Sequence, residues 1–191
     1  MESRTKKAAV GLLLLFVLPK VAKGATGVVP MANIPNALPS PVLTEGAANE
    51  SYLGANYYTR SILNNNLGSI ILNPKARTND PWQGSLPLAQ NTDGKFEQFY
   101  TLAYGTRAML KLLSNYINLH NRNTLTKIIL HWDLGNPAYT AFLVSRTGFG
   151  ANQVLQADKS TLKVIAQAIV RYETGLEFLT NARFEQGYNL L

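Results

Sequence analysis

Apolar residues recur at three- and four-residue spacing over much of the second half of the chain. Leu102, Met109, Leu112, Leu113, Tyr116 and Ile117 form one such face and predict a long helix over about 102–119. Thr124 stands just before Leu125, Ile128, Ile129 and Trp132, which predicts a capped second helix. Asn136-Pro137 opens a third, because proline suits the first helical position. It carries Tyr139, Phe142 and Leu143 and ends near Gly148. Leu162, Ile165, Ala166, Ile169 and Val170 line a fourth, with Ser160 or Thr161 as its cap and Gly175 as its stop. Leu176, Leu179 and Phe184 follow on a short helix or tail.

Before Leu102 the helical period lapses. Asn64 to Ser69 is rich in residues that tolerate positive φ and bond locally to the backbone, so it predicts a turn. Ser69 to Leu72 fits a short strand, and Pro74 to Gln83 a loop. The class expected is mainly α, in an α+β arrangement with one small β-hairpin.

The N-terminus has a different pattern. Arg4, Lys6 and Lys7 precede the apolar run Ala8 to Pro19, and Lys20 and Lys23 follow it. A secretory signal peptide fits this, with Ala22-Lys23-Gly24 as a small-x-small cleavage site. A retained anchor fits too, if residues 8–29 span or lie obliquely on a membrane while the lysines snorkel. Residues 30–56 hold Pro30, Pro35, Pro39 and Pro41 among small residues and read as an extended tether. The expected division is therefore 1–29 anchor or signal, 30–56 tether, and 57–191 folded domain.

Composition narrows the chemistry. There are no cysteines, so disulfides and cysteine metal sites are excluded. With only His120 and His131, a histidine-rich metal site is not expected, and neither a metal nor any other cofactor is called for. The formal net charge of +7 favours an anionic partner: nucleic acid, a membrane surface, or the acidic wall polymers of bacteria. The basic residues are dispersed, with no dense run beyond Lys6-Lys7, which argues against nucleic acid.

Glu173 is the candidate for chemistry. It continues the apolar stripe of the fourth helix, three and four residues beyond Val170 and Ile169. A carboxyl on an apolar face is desolvated, and desolvation raises its pKa, as a general acid near neutral pH requires. The plainer alternative is a surface residue at a fraying helix end. Asp133, just after Trp132, is the best second carboxylate, against the plainer alternative of a solvated helix end. Glu177 lies one turn beyond Glu173 and would add like-charge repulsion if the helix continued. Asp80, Asp93 and Glu97 lie in or near loops without an apolar setting.

A series of short motifs resembles the lysozyme-like domain of phage virion proteins and some bacterial proteins, of the lytic transglycosylase type. Ala168-Ile169-Val170-Arg171-Tyr172-Glu173-Thr174-Gly175 resembles the glutamate-helix end of that group. Asn64-Asn65-Asn66-Leu67-Gly68-Ser69-Ile70 is similar to its N-N-N-P-G-N-I stretch, and Trp82-Gln83-Gly84 to its W-Q-G. Phe96-Glu97-Gln98-Phe99, Tyr104-Gly105-Thr106-Arg107-Ala108, Thr124 to Trp132, and Ala138-Tyr139 follow in the family order. Together they cover most of residues 57–177. Leu67 replaces the family proline, Ser69 its asparagine, and Asp133-Leu134-Gly135 a usual A-P-P. These departures put substrate contacts from the turn in doubt more than they threaten the fold.

The resemblance implies a peptidoglycan-cleaving enzyme with Glu173 as a single acid and then base. It also implies a circularly permuted order, because ordinary lytic transglycosylases place the glutamate helix before the hairpin. Glu173 should then face the Asn64–Ser69 turn across a cleft, within ~15 Å, if both are to touch one disaccharide. Thr174 could bond to substrate or orient the acid, or simply fill a helix end. Asn65, Asn66 and Ser69 could hold sugar groups, or simply make the turn. Tyr104 and Tyr139 could line a groove or sit in the core. Trp82 and Trp132 are expected to pack, and His131 to be structural or on the surface. The partners implied are peptidoglycan strands, a membrane through residues 8–29 and other virion proteins, in a membrane-associated virion. The alternatives are a non-enzymatic virion structural or wall-binding protein, and a bacterial periplasmic or secreted wall-remodelling enzyme.

Overall fold

The computed structural model describes residues 41–77 and 82–191. The N-terminal segment, the first part of the tether and Asp80 lie outside the described residues. The fold is mainly helical. Two short helices, α1 (Arg60–Leu63) and α2 (Pro74–Arg77), precede the long α3 (Leu102–Asn118). Then come α4 (Leu125–Trp132), α5 (Pro137–Thr147), α6 (Lys159–Thr174) and α7 (Asn181–Tyr188). Among the described residues, no helix is long and apolar enough to cross a membrane.

The helix ends follow local chemistry. Thr124 Oγ1 accepts from the Lys127 amide at 3.2 Å, and Asn136 Oδ1 from the amides of Ala138 and Tyr139 at 3.0 and 3.3 Å. Gly148 and Gly175 close α5 and α6 in the left-handed conformation. The expected cap of α6 is displaced. Asp158, not Ser160 or Thr161, accepts the Thr161 amide at 3.0 Å, and both hydroxyls donate to its carboxylate. A carboxylate is the stronger acceptor for the free amides at a helix start, so it outcompetes its neighbours.

α3 lies at the centre, against α4, α6 and α7, and α5 bridges α4 and α6. Met109, Leu110 and Leu113 of α3, Ile128 and Ile129 of α4, and Ile165 and Ile169 of α6 are fully buried in one core. The predicted hairpin takes a different form. No sheet forms among the described residues; Ile71 pairs with Phe96 and Ser85 with Phe99 as isolated antiparallel bridges. The Asn-rich turn is occupied internally, so its outgoing chain finds a distant partner segment instead of folding back on itself.

That turn is locked onto α3 by backbone contact. A Cβ on Gly105 would sit 1.6 Å from the Asn65 carbonyl oxygen, so only glycine fits there. Gly84 plays the same part against the ring of Tyr104, where a Cβ would come within 2.1 Å. Gly105→Ala is expected to destabilise the domain by about 1–3 kcal/mol through overpacking, read as a lower urea midpoint with an unchanged slope.

The folded region also starts earlier than expected. Val42 and Ser51 pair antiparallel, and Glu50, Ser51, Tyr52 and Leu53 are buried. The second half of the expected tether therefore belongs to the domain. Its apolar residues are too sparse to show a period, and its anchoring is polar and long-range.

Candidate functional site

The polar groups around Glu173 come from three helix ends. α6 delivers Glu173 in its last turn, α5 delivers Tyr139 in its first, and α4 ends with Trp132, followed by Asp133. The α4–α5 connection is short and tightly bonded. Asp133 and Gly135 both donate their amides to Ile129 O, at 2.9 and 3.0 Å. Leu134 takes a left-handed φ of 51° to make this reversal. Asn136 then donates to Asp133 Oδ2 at 2.9 Å while its own oxygen caps α5. One asparagine thus fixes both the second carboxylate and the helix that carries Tyr139.

Tyr139 is 1% exposed and stacks on Tyr172 with ring centroids 3.6 Å apart. Its hydroxyl donates to Glu173 Oε1 at 2.9 Å. Burial first, then the Glu173 carboxylate, push the Tyr139 hydroxyl well above its ordinary pKa, so it remains a proton donor across the working range. Tyr139 therefore does not line an open groove. It is a core residue that holds the Glu173 carboxyl.

Glu173 is raised above the ordinary glutamate range. Burial is the main cause; donation from Tyr139 and the nearby Trp132 indole oppose it, while the Asp133 charge adds to it. The like-charge neighbour is thus Asp133 and not Glu177. α6 stops at Gly175, and Glu177 turns to the surface, where Arg146 bonds it at 2.6 Å.

Trp132 connects this carboxyl to the Asn-rich turn. A Cβ on Gly68 would lie 3.4 Å from Trp132 Cζ2, so the turn rests directly on the indole that neighbours Glu173. The sequence spacing marked Trp132 as packing only. What it missed was that the last residue of a helix can support a turn and neighbour a carboxyl at once.

The turn's own side chains are otherwise engaged. Asn65 is fully buried: it donates to Ser51 Oγ and Phe99 O at 2.8 and 2.9 Å and accepts the Tyr52 amide at 2.8 Å. Asn66, equally buried, donates to Ile70 O and Glu97 O and accepts the Ile70 amide, each at 2.9 Å. Neither has an amide left for a ligand, so both are scaffold. Leu67 is fully buried in the main core, so leucine at this position serves packing. Ser69 is half-buried, and its hydroxyl has no protein partner among the described residues. It sits at φ 48°, a conformation asparagine tolerates better than serine.

Two further candidates sit elsewhere. Thr174 is buried and donates to Val170 O at 2.7 Å while accepting the Leu176 amide at 3.1 Å, which makes it part of the helix ending. Tyr104 packs with Trp82 in a small second cluster built on Ile70, Phe99 and Ala108. No cluster of metal-ligating side chains occurs among the described residues. No known family model matches the chain, and no curated protein matches it significantly.

Proposed function

We propose that the protein is a peptidoglycan-cleaving glycosidase of the lytic transglycosylase or muramidase type, carried on a phage virion. In this reading Glu173 is its general acid and then base. The observation that carries it is the state of Glu173: a carboxyl raised by burial, held by a buried tyrosine, and placed against the tryptophan that supports the Asn64–Ser69 turn. The packing of the turn on Trp132 is what supports a cleft between Glu173 and the turn, and the permuted lysozyme-like order belongs to the same proposal. A carboxyl that keeps its proton above the usual range can protonate a leaving glycosidic oxygen. In a transglycosylase the sugar's own hydroxyl then closes an anhydro ring, with Glu173 taking back the proton. Ser69 is the turn residue still free to meet substrate.

The test is loss of turbidity of purified Gram-negative walls, with mass analysis of the sugar ends to separate anhydro from hydrolysed product. The pH profile adds a check on the site. The acid must be protonated, so activity falls on the alkaline side as Glu173 ionises. Asp133→Asn removes a like charge and should move that limb to lower pH. Tyr139→Phe removes a donor that favours the ionised form and should move it to higher pH. Opposite shifts in kcat/KM profiles are the expected outcome, and shifts of the same sign would overturn the assignment.

A non-enzymatic wall-binding or virion structural protein is the second reading. It is favoured by the engagement of Asn65, Asn66 and Thr174 within the scaffold. A well-folded protein that binds walls without cutting them would decide for it.

A further inference from the structure

The surface on the far side of Trp132 carries a second feature. No aspartate or glutamate occurs between Glu97 and Asp133, whereas lysines and arginines do. Within that acid-free stretch, Tyr116 is the hub of a ring cluster. Its centroid lies 6.5 Å from His120, 6.2 Å from His131 and 6.3 Å from Trp132, all edge-on. The Arg122 guanidinium lies over its face at 4.7 Å. Asn121 turns the chain back in a left-handed conformation, and the Arg122 amide donates to Tyr116 O at 2.8 Å. Lys127 reaches Asn121 O at 3.2 Å, so its ammonium joins the same loop.

None of these cations is paired with a carboxylate among the described residues; the salt bridges there lie elsewhere. The Arg122 guanidinium is nonetheless held by its contact with the Tyr116 ring, so part of its side-chain freedom is already lost before an anion binds. His131 is held below its ordinary pKa, by burial first and then by Arg122 and His120. At neutral pH its imidazole is thus a neutral hydrogen-bonding group, and the standing charge comes from Arg122 and Lys127. Trp132 forms the boundary. Its ring meets Tyr116 edge-on, and the same indole neighbours Glu173.

We propose that this Tyr116-centred patch is a binding site for the carboxylates of an anionic glycan strand, holding it so that the sugar backbone crosses Trp132 to Glu173. The proposal rests on the wall-cleaving reading for its choice of polymer. The charge arrangement favours it. Arg122 and Lys127 gather around Tyr116, whereas Asp133 follows Trp132 directly and acts on Glu173, so an acidic strand is attracted to the first group and its carboxylates are repelled from the second. The aromatic rings offer flat apolar faces for sugars between the charged groups.

The experiment uses the full chain carrying Glu173→Gln, so that bound strands stay intact. Its binding is measured by co-sedimentation with purified peptidoglycan sacculi and with sacculi whose carboxyls have been amidated. Arg122→Gln with Lys127→Gln should weaken binding to native sacculi by roughly fivefold to tenfold, as expected for two charges that water still reaches. It should change little on amidated sacculi, which should already bind the parent poorly. Lys127 is exposed and Arg122 half-buried on Tyr116, so the thermal midpoint should fall only slightly, by what loss of the ring contact costs. Equal binding of native sacculi by the parent and the double variant would overturn the proposal while leaving the wall reading intact. Failure of every form to bind sacculi would overturn the wall reading and this proposal with it. Arg122-dependent binding that is tighter on anionic phospholipid vesicles or single-stranded DNA than on sacculi would reassign the patch and overturn the glycan assignment.

Discussion

Glu173→Gln is expected to reduce wall lysis by roughly 10²–10⁴-fold, the usual contribution of a positioned general acid, while leaving the fold at least as stable. Glutamine keeps the shape and the hydrogen bond from Tyr139 but has no proton to give. The stability arm follows from the raised pKa. The folded state holds the Glu173 proton more tightly than the unfolded chain does. Its contribution is therefore fully present below the unfolded value, about 4.3, and is lost as pH rises through the raised folded value. The glutamine variant has no such loss. Its advantage in thermal midpoint should grow from pH 4 upward and level off once the parent carboxyl has ionised. A variant that loses lysis and gains stability at neutral pH is the mark of a carboxyl kept for chemistry at a cost to folding. Lysis that survives at the parent rate would mean that another group is the acid, with Asp133 next to be replaced.

Much of the helical frame could be read from the sequence because its determinants are local. Apolar spacing found α3 to α6, and Thr124 and Asn136-Pro137 marked two starts that the structure keeps. The setting of Glu173 was legible for the same reason, since one apolar stripe determines what the carboxyl faces. Its partners were less so. The Tyr139 bond depends on how α5 crosses α6, and the Trp132 contact on where α4 ends, neither of which has a signature along the chain. The Asn-rich turn was located correctly, but which way its amides face was not legible. Asn65 and Asn66 meet residues from three separate segments, 51–52, 70 and 97–99, and only their convergence shows that the amides are spent. Asp158 was passed over because a cap was sought among hydroxyls nearer the apolar stripe.

Arg183→Ala is expected to destabilise the domain by roughly 3–5 kcal/mol, the largest stability effect outside the apolar core. Arg183 is 8% exposed and Glu50 1%. The guanidinium donates to Glu50 Oε1 through Nε and Nη2 at 3.0 and 2.7 Å, to Phe178 O at 2.7 Å, and to the Tyr52 hydroxyl at 2.8 Å. It also lies 4.1 Å over the ring of Phe178. The other Glu50 oxygen takes the Gly46 amide at 2.8 Å. This network joins the segment before α1 to α7, across more than half the chain. Truncating the arginine leaves Glu50 buried without its counter-charge, and that cost exceeds the net worth of the intact pair. In a domain of this size the change should lower the thermal midpoint by roughly 6–20 °C. Glu50→Leu combined with Arg183→Met removes both charges and should recover much of the loss, whereas a double variant as unstable as Arg183→Ala would show that packing on Phe178, not charge, is what the arginine supplies. Hydrogen exchange adds a positional readout. If the ion pair is what holds residues 42–53, their amides should lose protection in Arg183→Ala before those of α3 do, because Val42 and Ser51 make only an isolated bridge of their own.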